Sequence, residues 1–340
     1  MMEELLIGLI GAGNMGKSLA SGVAACDLAR IAAISDPVEG AAEAAAEDIS
    51  EGDEIDTYTD LGEMLAREDI AATLVAAPNY LHPELVIRSA EAEKHVFCEK
   101  PMALNVADAR SMIEACETND VKLMIGQVLR YNSRVAFILE MIRNGDLGKP
   151  FGMQISRIGG GWTAGSKYHA PWRLKKETCG GPLFEISAHE IDFMRQVLGE
   201  ACTVYASMDN YVSPEVDYED FVQMVINFEE GGRGALLAGH AARVGKNDGK
   251  IFLTAGTIYY DNSIGEVTWL GEGEEIQKIS YDELDGRYER GVNREIREFV
   301  EAVVDDAEVT IPGIEGLRNT EIAQAAGISA ASNRVVELPL

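Results

Sequence analysis

The chain has 340 residues, 46% of them hydrophobic, more than one ordinary core accommodates, so two domains of roughly 100–200 residues each are expected. Its 57 acidic against 29 basic residues give a formal net charge of -28, which repels phosphate backbones and anionic lipid and argues against nucleic-acid and membrane partners. No segment approaches the roughly 18 apolar residues of a membrane span, the Met-Met-Glu-Glu start is unlike a signal peptide, and Cys26, Cys98, Cys116, Cys179 and Cys202 show no metal-ligand spacing, so a cytoplasmic protein without a metal is expected.

Residues 5–10, Leu-Leu-Ile-Gly-Leu-Ile, form a continuous apolar run of the kind found in parallel strands buried on both faces. A glycine-rich turn follows, then helix 15–26, strand 30–35, helices 38–48 and 61–67, strand 72–76, helix 82–92, strand 95–98, helix 105–118 and strand 121–126. This alternation predicts an α/β domain over residues 1–126, built on a doubly wound parallel sheet with right-handed crossovers. From 127 to 340 the texture changes to longer alternating runs at 151–158, 202–211, 220–228, 233–241 and 250–260, joined by Gly, Asn and Asp turns. These predict an α+β domain with a large, mostly antiparallel open sheet, one face covered by helices at 182–198 and 290–304.

The turn after the first strand reads Gly11-Ala12-Gly13-Asn14-Met15-Gly16 and opens the first helix. In a dinucleotide-binding (Rossmann) turn the first glycine permits the tight bend, the second lets the backbone approach a pyrophosphate, and the third allows close helix-to-strand packing. Asp36 follows Gly16 at the spacing of the acid that accepts the adenosine ribose hydroxyls, and its carboxylate would repel a 2′-phosphate. Asp36-Pro37 therefore favours NAD over NADP, although the pair is also a plain turn signal.

Glu99-Lys100-Pro101 closes the strand at 95–98 and places Lys100 at the carboxyl end of a parallel strand, where ligands of open α/β sheets bind. A partly desolvated lysine there suits proton transfer, while an ordinary solvated lysine is the alternative. The second constellation runs from Cys179-Gly180-Gly181-Pro182 into an amphipathic helix on which Glu185, His189 and Asp192 fall at i, i+4 and i+7, on one face.

Together the Gly11 turn, Ala77-Pro78-Asn79-Tyr80-Leu81-His82, Glu99-Lys100-Pro101, Trp172-Arg173 and the Gly-Gly-Pro helix with His189 and Asp192 resemble the glucose-fructose oxidoreductase / inositol dehydrogenase (Gfo/Idh/MocA) family over nearly the whole chain. The resemblance implies hydride transfer between nicotinamide and a secondary alcohol of a sugar or cyclitol. It gives Lys100 and His189 the hydroxyl proton and Glu185 their orientation. It places Ala77, Pro78, Asn79, His82 and Glu99 along the cofactor, Trp172 and Arg173 near nicotinamide and substrate, and implies a homodimer or homotetramer. The same fold also serves non-catalytic ligand sensors, against which the pair Lys100 and His189 speaks. Glu185 stands where many members have Asp, Ser187 where they have Gly, and Val292 where an aromatic is common; these departures leave the substrate open.

Arg130, His240 and Asn293 are further candidate substrate contacts. Between 157 and 176 the chain carries Arg157, Lys167, His169, Arg173, Lys175 and Lys176 and no acid before the glutamate at 177. This segment, which includes the Gly159-Gly160-Gly161-Trp162 loop, has three readings: a clamp for the pyrophosphate, a site for an anionic sugar, or pairing with nearby acids. The overall acid surplus fits a protein working at high salt, where screening relieves self-repulsion, and equally a merely acidic one.

Overall fold

A computed structural model describes residues 4–50, 54–160, 170–273, 275–289 and 291–340. The chain divides into two compact units, 1–128 with 290–317, and 129–289 with 318–340. The first expected domain, 1–126, ends two residues short of this division. Residues 290–317 return to the first unit, unlike the expected 127–340 domain.

In the first unit, strands β1 (Leu5–Ile10), β2 (Ala29–Ser35), β3 (Asp56–Tyr58), β4 (Ala72–Val75), β5 (His95–Glu99) and β6 (Leu123–Gly126) form one parallel sheet in the order β3-β2-β1-β4-β5-β6. The order reverses between β1 and β4, and ligands of doubly wound sheets bind at that switch point, beyond the carboxyl ends of the strands. The strands read as unbroken apolar runs because helices cover both faces, and Ile7, Leu9, Ile34, Leu74 and Phe97 are fully buried. The late helix Gly291–Val304 packs against the first helix, Asn14–Ala24, with Ile296 and the Val292 carbonyl beside Gly22. It was expected on the second domain's sheet. Its amphipathic pattern shows that one face is buried but not against which partner.

The second unit holds a nine-stranded sheet in the order β14-β13-β12-β11-β7-β10-β9-β8-β15. Its strands are β7 (Pro150–Ile158), β8 (Ala201–Asp209), β9 (Phe221–Phe228), β10 (Arg233–Gly239), β11 (Lys246–Leu253), β12 (Gly256–Asp261), β13 (Glu266–Gly271), β14 (Gln277–Ser280) and β15 (Val336–Glu337). All pairings are antiparallel except β7 with β10. The run expected as one strand at 250–260 is a hairpin, β11 and β12, turning at Thr254 and Ala255. Helix Ala188–Leu198 packs on β7 and β10, and Phe193 meets Tyr260 at 6.0 Å. Among the described residues no helix is long and apolar enough to cross a membrane, and no group of His, Cys, Asp and Glu is placed to hold a metal ion.

Candidate active site

The fingerprint glycines differ sharply in what surrounds them. Gly11 has φ +102, and a Cβ there would lie 2.7 Å from the Ala76 carbonyl oxygen. A Cβ on Gly16 would stand 2.1 Å from the Gly11 oxygen, whereas one on Gly13 would meet nothing within 4 Å. Gly13 also caps helix Asn14–Ala24 without any side-chain hydrogen bond, so the first N–H groups of that helix lie beside open space. A pyrophosphate fits there: the helix terminus attracts its charge and no side chain stands in its way. Asn14 is exposed and Met15 half-buried beside the turn. Asp36 lies just past β2. Its Oδ2 accepts the Ala12 N–H at 2.9 Å and its Oδ1 accepts the Val38 N–H at 3.0 Å, which fixes the carboxylate beside the turn, with Pro37 exposed next to it.

Lys100 follows directly on β5 and is half-buried, joined to Pro101 by a cis peptide. Glu99 is buried and its Oε2 accepts the Lys100 N–H at 3.1 Å. The neighbouring strand β4 runs out into Ala77 and Pro78, and the turn Asn79–Leu81 leads into helix His82–Glu91. Asn79 is buried. His82 lies 1% exposed, with Nδ1 2.8 Å from the Pro101 oxygen and Nε2 2.9 Å from the Ala77 oxygen.

In the second unit Gly180 and Gly181 have φ +79 and +82, the left-handed region that favours glycine, and turn the chain into Pro182. The expected single helix 182–198 is two helices, Pro182–Glu185 and Ala188–Leu198, because the chain turns at Ile186 and Ser187, whose N–H groups both donate to the Pro182 carbonyl. The i, i+4, i+7 argument therefore does not carry across the break. Glu185 is buried, with the Arg173 Nε donating to its Oε1 at 2.6 Å, and the Arg173 guanidinium lies 4.3 Å over the Trp172 ring. Tyr218 Oη fixes that segment by donating to the Arg173 carbonyl at 2.8 Å. His189, in the first turn of the following helix, is half-buried.

Asp192 is buried and takes two bonds from Arg130, from Nε at 2.8 Å and Nη2 at 2.6 Å, with a third from Asn319 at 3.0 Å. Arg130, expected at the substrate, is thus held as a fork on Asp192. Sequence reasoning missed this pair because its members lie 62 residues apart with no local periodicity to join them. His240 is 4% exposed, edge-on to Tyr218 at 5.7 Å between ring centres, and neither ring nitrogen has a hydrogen-bond partner. Burial pushes its pKa down, against the pull of Asp220 and Glu215. Asn293 lies in the first turn of the late helix, with its Oδ1 buried and unpartnered. Of the basic segment, Gly161, Trp162, Lys167 and His169 lie outside the described residues. The described cations pair with carboxylates: Arg157 with Glu190, Arg173 with Glu185, Lys175 with Asp217 and Lys176 with Glu219.

Residues 5–127 match the model of an oxidoreductase family with an NAD-binding Rossmann fold, and residues 135–259 match the GFO/IDH/MocA C-terminal domain. The myo-inositol 2-dehydrogenase of Thermotoga maritima is 30% identical over 98% of this chain and 98% of its own, and the inositol 2-dehydrogenase of Rhizobium meliloti is 26% identical over 97% and 98%. A levoglucosan dehydrogenase solved with NADH superposes at a TM-score of 0.88, 25% identical, covering 99% of this chain and 100% of that one. Both domain matches and the full-length likeness agree, and the chain belongs to the GFO/IDH/MocA family of NAD-dependent oxidoreductases.

Proposed function

We propose that this protein oxidises a secondary alcohol of a neutral sugar or polyol, as the inositol and levoglucosan dehydrogenases similar to it do by name. NAD, when bound, supplies the acceptor for the hydride leaving carbon. Gly13 and the helix terminus behind it hold the pyrophosphate, and Asp36 accepts the ribose hydroxyls. Lys100 takes the hydroxyl proton, with His189 sharing that task, while Arg173 holds the buried Glu185 carboxylate in place. The observation that supports this most is Lys100 itself, half-buried at the carboxyl end of β5 and two strands along the sheet from the fingerprint turn.

A neutral substrate is favoured because the described cations of the basic segment already have carboxylate partners. The test is NADH formation, followed by absorbance, across myo-inositol, levoglucosan, free hexoses and hexuronic acids. Turnover with a neutral polyol or sugar is expected. Preference for a hexuronic acid would refute the neutral assignment, and NADH binding without turnover of any alcohol would point to a sensor. We also propose a dimer or tetramer formed through the open face of the nine-stranded sheet, where Tyr205, Gln223 and Val225 are exposed; light scattering checks this.

A further inference from the structure

His82 touches two carbonyls at once, one on each of two neighbouring strand ends. Its Nδ1 is 2.8 Å from the Pro101 oxygen, beyond β5, and its Nε2 is 2.9 Å from the Ala77 oxygen, beyond β4. A carbonyl oxygen only accepts hydrogen bonds, so each contact is satisfied only by an N–H. A neutral imidazole carries one N–H; its other nitrogen would face a carbonyl lone pair with lone pair. With the residue 1% exposed, solvent does not relieve that contact, and an unmet buried acceptor is costly.

We infer that His82 is a doubly protonated crosspiece that ties Ala77 to Pro101, and is thereby a positioning residue for Lys100 rather than a residue that touches the cofactor. The crosspiece continues inward, because the Ala76 N–H that follows β4 donates to the Ile10 carbonyl at 2.9 Å, next to Gly11. Fingerprint turn, β4 exit and Lys100 are therefore joined in one row, with His82 as the link across the last gap. The charge makes both bonds stronger than neutral ones. Ionisable groups on the segments meeting it are Glu99 and Lys100 at the end of β5, Tyr80 in the turn before it, and Glu84, Arg88 and Glu91 on its own helix. The role assigned to Lys100 rests on the proposed function; the protonation and the tie do not.

The direct test is nitrogen NMR of protein labelled in its histidine rings, at neutral pH with NADH bound. Both His82 nitrogens should carry protons. A ring with one protonated nitrogen would overturn the inference. His82→Phe keeps the ring volume without donors, and should lower kcat by roughly 10- to 100-fold through a displaced Lys100, with a smaller rise in the KM for substrate. His82→Gln, which retains one donor, should recover part of the loss. Unchanged kcat in a folded His82→Phe would refute the positioning role. If no alcohol is oxidised by the wild type, the proposed function fails, and the NMR result with NADH affinity, expected to weaken several-fold in His82→Phe, still decides the tie. Should His82→Phe not fold, the NMR result and His82→Gln decide it.

Discussion

Replacing Asp36 by Ser, together with Pro37 by Arg, should shift the cofactor preference from NAD toward NADP. In the structure each carboxylate oxygen of Asp36 already accepts one backbone N–H, from Ala12 and from Val38. A carboxylate has about four acceptor sites, so one remains on each oxygen, matching the two ribose hydroxyls. A hydrogen bond to a charged group contributes about 1.5–3 kcal/mol. Because Asp36 is half-exposed, only one such bond's worth is assigned to the pair, which corresponds to a loss of roughly 10- to 100-fold in kcat/KM for NAD. Removing the carboxylate also relieves its repulsion of a 2′-phosphate, about 3 kcal/mol at about 5 Å and an effective dielectric near 20. The NADP-to-NAD ratio of kcat/KM should therefore rise at least about 100-fold. The serine hydroxyl can still accept the Ala12 N–H, so the melting temperature, measured in parallel, should hold. Steady-state kinetics with both cofactors gives the ratio; an unchanged ratio, or a wild type that prefers NADP, would refute the role given to Asp36.

Gly13→Ala should leave the melting temperature unchanged while weakening NADH binding, because its Cβ meets only open space, the space proposed for the pyrophosphate; loss of stability, or unaltered NADH affinity, would contradict this. Gly16→Ala should instead destabilise the fold, since its Cβ would lie 2.1 Å from the Gly11 oxygen. For His240, burial lowers the folded pKa below 6.5, so as pH falls through about 6.5 the unfolded chain takes up a proton that the folded one refuses, and stability drops. His240→Phe should flatten that decline between about pH 7 and 5, only in part because burial lowers His95 as well; denaturant titrations across pH that show the same slope would refute it. With a net charge of -28, the melting temperature should rise from dilute to molar KCl as the Debye length shrinks from about 10 Å to about 3 Å, and a temperature independent of salt would assign the acid surplus no such role.

The parallel sheet was legible in the sequence because its strands are buried on both faces and alternate with helices, so apolar runs and helical periodicity mark them without tertiary knowledge. The geometry of the Gly11 turn was legible because backbone conformation and spacing define it locally, and Asp36 sits beside it through its bonds to the Ala12 and Val38 N–H groups. The hairpin at β11 and β12 was not, since Thr254-Ala255 carries no strong turn residue before Gly256. Nor was the break after Glu185: Ile186 and Ser187 are ordinary helix residues, and only the tertiary setting ends the first helix there. The partners of charged groups were the least readable. Arg173 with Glu185 and Arg130 with Asp192 are choices made in three dimensions, and composition alone left the basic segment with three readings. His82 lay in a motif recognised by resemblance as cofactor-lining, and its contact with two carbonyls appears only once β4 and β5 are side by side.

Lys100 and His189 are proposed to handle the proton of an alcohol whose hydride is taken by bound cofactor. The measurement that tests it most directly is single-turnover NADH formation by Lys100→Met, His189→Ala and the double variant, with NADH affinity determined on the same samples. Lys100→Met should slow turnover by roughly 10²–10⁴-fold with NADH affinity retained, and the double variant should lose far less than the product of the two single losses, because groups acting on one proton are not additive. Near-normal turnover by Lys100→Met would contradict the account.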